Sequence, residues 1–215
     1  MQIIQKIKST FPNVALAYFV QLIENNLKNC KSVLDVGCGS DSPLQHLSKK
    51  YKLTGVDAYA PAIKESKRKK IHQHYHNLDI KKLTKKFGSN SYDAVIALDV
   101  IEHFHKKEGY KLLKAMEGIA KKVVILNTPN GFIPQHNNTN NLQEHLSGWN
   151  TGDFRKLGYK VYGMYGPKFL RKEEGELKYR PKILFGIISV ILHLLVTKYF
   201  PKFAYSLTAV KNKIT

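Results

Sequence analysis

The chain has 215 residues, 43% of them hydrophobic, enough to bury a full core in one domain with a small appendage. Its 35 Lys and Arg against 16 Asp and Glu give a formal charge of +19, which suits anionic partners such as nucleic acid or a membrane surface. Two cysteines exclude a disulfide framework and fit a reducing, cytoplasmic compartment, so the Asn137-Asn138-Thr139 sequon is expected to be incidental.

The first element, within residues 1–29, is a helix. Its apolar run Val14 to Val20 is brief, continues with helical spacing through Leu22, Ile23 and Leu27, and has no small-residue cleavage site after it. It is expected to cover one edge or mouth of the core. A strand at 32–36 then stops at Gly37 and Gly39, two residues that allow a tight turn and close approach of a ligand. Ser42 and Pro43 predict a capped helix over 43–50. A second strand at 53–57 ends in Asp57, eighteen residues after Gly39, close to the separation of about 20 at which an acid meets ribose hydroxyls.

A dinucleotide fingerprint would need a third glycine or alanine at Ser42 and would avoid negative charge. Here Asp35 and Asp41 flank the glycines and should repel a diphosphate. Five of the seven aspartates, Asp35, Asp41, Asp57, Asp79 and Asp99, fall at or just beyond the ends of short apolar segments. In an open α/β sheet those ends border one crevice, so the acids should share it. A cationic nucleoside such as S-adenosylmethionine fits that charge pattern.

Further strands are predicted near 72–78, 93–98 and 122–127, with helices near 60–69 and 103–119 and a weak one at 80–87. This alternation implies an α/β fold, a doubly wound, mostly parallel sheet with helices on both faces. A short helix over 151–157 leads to a sixth strand at 159–165, and a seventh follows at 203–210. Between these two lies an insertion without an ordinary crossover helix. The expected organisation is a cap helix at 1–29, a core at 30–165, an apolar and basic helical insertion at 166–201, and a last strand with a basic tail at 202–215.

Leu34-Asp35-Val36-Gly37-Cys38-Gly39, Val56-Asp57, Leu78-Asp79-Ile80, the run from Tyr92 to His103, and Asn127-Thr128-Pro129-Asn130-Gly131 together resemble the class I S-adenosylmethionine-dependent methyltransferases. The fourth-strand run and the Asn127 segment are similar to the branch holding the ubiquinone-pathway O-methyltransferases. The resemblance covers residues 30–165 and the last strand. It implies a three-layer, Rossmann-like sheet of seven strands, the last antiparallel and inserted beside the sixth. It also implies cofactor contacts from Asp35, Gly37, Cys38, Gly39, Asp57, Ala58, Asp79, Ile80, Leu98 and Asp99, with Asp79 and Ile80 near the adenine. In this chain Asp41 stands where the family usually has its third glycine.

Methyl transfer from a sulfonium needs alignment, exclusion of water and, for some acceptors, a base. His103, after strand four, is the candidate base, against a structural role at the start of the next helix. Glu102 and Asn127 are candidate acceptor contacts, as are His145 and Trp149 of the element Gln143 to Trp149, where Trp149 could equally pack the loop onto the sheet. No Asn-Pro-Pro-Tyr or Asp-Pro-Pro-Tyr follows strand four, which favours an oxygen acceptor over a base nitrogen. His72, His74 and His76 alternate along one strand, but no acid or cysteine accompanies them, so no metal is expected.

Ile183 to Val196 is an almost unbroken apolar run of fourteen residues between Arg180, Lys182 and Lys198. It is shorter than the roughly 20 residues of a spanning helix. Gly186, Ser189, His193 and Thr197 would form a small, polar stripe along one side. The favoured reading is contact with the inner membrane face through residues 183–197, or a lid over a lipid-linked acceptor, with a dimer face also open. An RNA methyltransferase and a non-catalytic scaffold remain alternatives; the lysines are spread along the chain without an RNA-binding module.

Overall fold

The computed structural model describes residues 2–135, 141–173 and 175–213, with side chains from residue 14 onward except residue 141. The predicted sequon lies outside the described residues. Seven strands form one sheet: β1 Ser32–Val36, β2 Lys52–Asp57, β3 His74–Asn77, β4 Tyr92–Leu98, β5 Ala120–Pro129, β6 Lys160–Pro167 and β7 Ala204–Asn212. Their order is β3-β2-β1-β4-β5-β7-β6, with β7 antiparallel to both neighbours and the other pairs parallel. The doubly wound, Rossmann-like expectation is met, including the antiparallel last strand beside the sixth.

The central strands form because they are apolar on both faces, as strands covered by helices must be. Val33, Leu34, Val36, Val95, Ile96, Val124 and Leu126 are all fully buried. α1 (Gln2–Asn26) packs on one side of the sheet and α4 (Lys106–Ile119) on the other, with α2 (Ala60–Arg68) against β2 and β3, so that two cores arise. One gathers Phe19 and Ile23 of α1 and Leu27 just after it against Val33, Ile96 and Ile125. The other gathers Leu112, Leu113 and Met116 of α4 with Trp149 and Phe154 against Leu34, Val95 and Val124.

Four expectations are corrected. Residues 43–50 are not an α-helix but a 3-10 turn at Pro43–Leu47, capped by the Ser42 hydroxyl accepting from Leu44 N. The Ser48 hydroxyl donates back to the Gln45 carbonyl, a local bond that competes with helix, and β2 begins at Lys52. The helix expected at 103 starts at Lys106, because the Glu102 carbonyl accepts from Leu146 N and Ser147 N rather than from the next helical turn. The third strand begins at His74, not 72, since His72 turns inward. The weak helix over 80–87 is a 3-10 turn at Ile80–Lys82 followed by the single turn α3 (Leu83–Lys86).

The insertion contains α6 (Lys182–Leu192), following α5 (Thr151–Lys156) in chain order, and α6 runs on as a π turn over His193–Thr197. Among the described residues no helix is long and apolar enough to cross a membrane.

Candidate active site

A crevice of about 1110 Å³ opens at the carboxyl ends of the parallel strands. Asp35, Asp41, Asp57, Asp79 and Asp99 all line it, so the five acids do share one space. The sheet brings them there because each follows or ends a strand and the strands run parallel.

The glycine loop leaves β1 with Gly37 at φ +69° and Gly39 at φ +56°, both in the left-handed region. A Cβ on Gly37 would collide with a Val100 methyl group, whereas one on Gly39 would meet no atom within 4 Å. The first glycine therefore serves packing and the second borders the crevice. Asp57 ties the loop down: its Oδ2 accepts from Gly39 N at 2.9 Å and its Oδ1 from Tyr59 N at 2.8 Å. Each oxygen keeps a further lone pair for a ribose hydroxyl. Ala58, Ile80 and Leu98 also line the crevice, and Cys38 is buried in its wall with a thiol that burial pushes up, holding it protonated.

Two of the loop acids differ from their expected part. Asp35 is 1% exposed, and its Oδ2 accepts from Ser42 Oγ at 2.6 Å and meets His72 Nε2 at 2.8 Å. It braces the loop from inside. Asp41 is exposed and ion-paired with Lys69, which holds its carboxyl below the ordinary range. Its charge is thus partly compensated at the crevice rim, and the five-residue turn after it supplies no helix dipole.

Beyond β4, Asp99 sits at φ +54° and its Oδ1 accepts from Asn127 Nδ2 at 2.8 Å. Asn127, expected as an acceptor contact, stands behind Asp99 and not in the crevice lining. It is 2% exposed, its Oδ1 accepts from Ser206 and Thr208 of β7, and it holds Asp99 in place from behind. Trp149 takes the packing alternative: it is fully buried, stacks on Phe154 at 5.4 Å, donates Nε1–H to Ser147 and lies beneath the Lys106 ammonium at 3.7 Å. Gly109 leaves the slot for its ring, where a Cβ would collide.

Glu102, His103 and His145 do come together. One ligand atom from each lies within 4.8 Å of the others, and the two imidazoles are 5.0 Å apart. His103 Nδ1 is 3.1 Å from the Glu144 carbonyl and His145 Nδ1 is 2.7 Å from the Ile133 carbonyl. A carbonyl only accepts, so each Nδ1 carries the hydrogen and each Nε2 keeps its lone pair. Glu102 is 2% exposed; its Oε2 accepts from Thr128 Oγ1 at 2.9 Å, while its Oε1 has no partner. Burial, reinforced by Asp99, pushes the Glu102 carboxyl well above the usual range, and burial pushes His103 down. Asp99 is exposed to the crevice, and its carboxyl is pushed up by desolvation and drawn down by the Asn127 amide. One carboxylate oxygen and two imidazole nitrogens are also a donor set that a divalent cation takes. The expected histidine row does not form this set: His72 is committed to Asp35 and Ser66, and His74 is exposed.

The sequence missed two aromatic walls. Phe19 of α1 and Tyr165 of β6 line the crevice, and Tyr165 is held at φ +60° just before Gly166 at φ +76°. The Tyr-Gly pair at a strand's carboxyl end was the available signal.

Residues 34–126 match the family described as Methyltransferase domain. No curated protein matches the chain significantly. Among solved structures, a SAM-dependent methyltransferase from Archaeoglobus fulgidus is similar at a TM-score of 0.62 and 16% identity, over 94% of each chain. The plantazolicin methyltransferase in complex with SAH gives 0.55 and 19%, over 98% of this chain and 90% of that one. Magnesium protoporphyrin IX methyltransferase from Synechocystis with bound SAM gives 0.52 and 20%, over 96% and 78%. The fold is that of these enzymes. With the domain match and the acid-lined crevice, the chain is an S-adenosylmethionine-dependent methyltransferase, and S-adenosylmethionine is its cofactor.

Proposed function

We propose that the enzyme methylates a hydroxyl oxygen of a small or lipid-linked acceptor, which enters the crevice beside Glu102, His103 and His145. S-adenosylmethionine supplies an activated methyl group on a sulfonium. Asp57 is the residue to hold its ribose, with Asp79 and Ile80 at the adenine end and the Gly37-Cys38-Gly39 turn alongside. Asp99, fixed by Asn127, adds negative charge that favours a cationic ligand over a phosphate.

The observation that carries the oxygen reading is the convergence of Glu102, His103 and His145, one ligand atom of each within 4.8 Å of the others, with Glu102 Oε1 buried and unpartnered. An amine attacks through a lone pair it already has, whereas a hydroxyl gains nucleophilicity by losing its proton. A neutral imidazole placed in the crevice performs that step. His103 lines the crevice and is the base; His145 stands behind it at 5.0 Å and shares the polar environment. Burial holds His103 neutral to lower pH than usual, so the base is available at neutrality. The test is transfer of labelled methyl from cofactor into fractionated lipid, RNA and small-molecule extracts. Label in a hydroxylated small molecule or lipid supports the reading, and label confined to RNA or to an amine removes it.

A second reading rests on the same convergence. A divalent cation held by Glu102, His103 and His145 would orient the acceptor oxygen and favour its ionised form. Dialysis against a chelator separates the two: a base alone leaves activity unchanged, whereas a cation site loses it and regains it on adding metal.

A further inference from the structure

Helix α6 is built inside out for a helix on a globular protein. Its small and polar positions, Gly186, Ser189, His193 and Thr197, are the buried ones, at or below the accessibility of core residues. They face β6 at close quarters, since a Cβ on Gly166 would strike the Ser189 side chain and one on Gly163 the Thr197 carbonyl. Backbone approaches that close require small residues on both sides. The large apolar residues are left pointing away. Leu184, Ile187, Ile191 and Leu194 are 40–50% exposed and Leu195 is 68% exposed. Beyond the π turn, Tyr199, Phe200 and Phe203 extend the same surface at 52–65% exposure.

Cations bracket this ridge. Lys182 stands at its start, and Lys198 and Lys202 at its end, where their ammonium groups lie over the Tyr199 and Phe203 rings. No acid pairs with Lys198 or Lys202 among the described residues. An apolar ridge with aromatic residues at its end and unpaired cations beside them matches the layering of an anionic bilayer surface, where acyl chains lie under negative headgroups. A protein partner of ordinary composition offers no such regular match to a chain of charge +19.

Position adds a second reason. β6 runs parallel to β5, so residues 163 to 166 advance toward the carboxyl edge, where Tyr165 lines the crevice. Thr197 lies against Gly163 and Ser189 against Gly166, so the helix runs backward toward that same edge. The seven residues from Ser189 back to Lys182 carry it about 10 Å further, past the edge and toward the side on which the crevice opens.

We infer that the exposed face of α6 and the following aromatic turn dock the enzyme on an anionic phospholipid bilayer, with the helix lying along the surface and the crevice mouth toward the lipid. The surface thereby becomes the partner that presents a lipid-linked acceptor; this last link rests on the proposed function, while docking itself needs neither acceptor nor methyl transfer.

The full chain should float with vesicles of phosphatidylcholine and phosphatidylglycerol in equal parts, and much less with phosphatidylcholine alone. Two double variants, Ile191→Asp with Leu195→Asp and Lys198→Glu with Lys202→Glu, should each lower vesicle binding by about tenfold or more. Calorimetric binding of S-adenosylhomocysteine by the same preparations should stay at the wild-type value, which shows that they fold. Wild type that stays with the soluble fraction on anionic vesicles overturns the inference, as does equal flotation of all variants. So does a wild-type dimer in vesicle-free solution that the Asp variant dissolves, for the face would then belong to a second copy. A protein that binds cofactor but not vesicles removes docking and leaves the methyl-transfer reading intact.

Discussion

At the scale of single residues, the crevice separates those that meet a ligand from those that hold them. Asp57 does both, and Asp57→Ala should lower cofactor affinity by tenfold or more in calorimetry, roughly the loss of one to two charged hydrogen bonds. His103 reads out in pH. Its value is pushed below the ordinary 6.5 by burial, so the acid limb of kcat/KM should fall below that pH and vanish in His103→Gln. Glu102 works the other way. A carboxyl whose folded value is raised is stabilising while protonated, and that contribution is lost as pH rises through the raised value. Glu102→Gln should therefore flatten the decline of thermal stability as pH rises above the ordinary carboxyl range, while lowering turnover. Trp149→Ala should cost about 3–5 kcal/mol in denaturant unfolding, because it empties a slot between Gly109, Tyr110 and Phe154. Its single tryptophan and neighbouring histidine made this element look like acceptor recognition. Only the packing of α4 shows that the indole belongs to the core, while His145, four residues earlier, stands beside Glu102 and His103.

At the scale of elements, strands were legible where they are apolar on both faces, and their ends were legible where an acid or glycine stops the run. Helix starts were less so. Nothing local says that the Glu102 carbonyl is taken by a loop more than forty residues later, or that Ser48 folds back on its own turn. Asn127 shows the same limit: its motif placed it correctly toward the end of β5, but the hydroxyls of Ser206 and Thr208 that occupy its amide oxygen come from a strand about eighty residues on. The seat of α6 supplies a prediction at this scale. Gly163→Val would drive side-chain atoms into the Thr197 backbone, so it should lower the melting temperature and expose the helix to proteolysis. Cofactor binding, which depends on β1, β2 and β4, should survive in the folded fraction.

For the whole molecule, the alternation of strands and helices was enough for a doubly wound sheet and for one shared, acidic crevice. The antiparallel last strand beside the sixth came from resemblance alone, because periodicity carries no strand order. The charge of +19 did not by itself choose a partner. Any RNA bound through scattered lysines should dissociate steeply as salt rises, without acquiring labelled methyl groups above background. Docking through α6 should instead keep a salt-resistant part, since the apolar ridge is indifferent to ionic strength.

That ridge gives the purified enzyme the character of a surfactant. A cationic body carrying one oily edge adsorbs to glass, plastic and the air–water boundary as readily as to lipid. Specific activity should then fall on dilution and recover when a trace of non-ionic micelle offers the edge a softer place to rest.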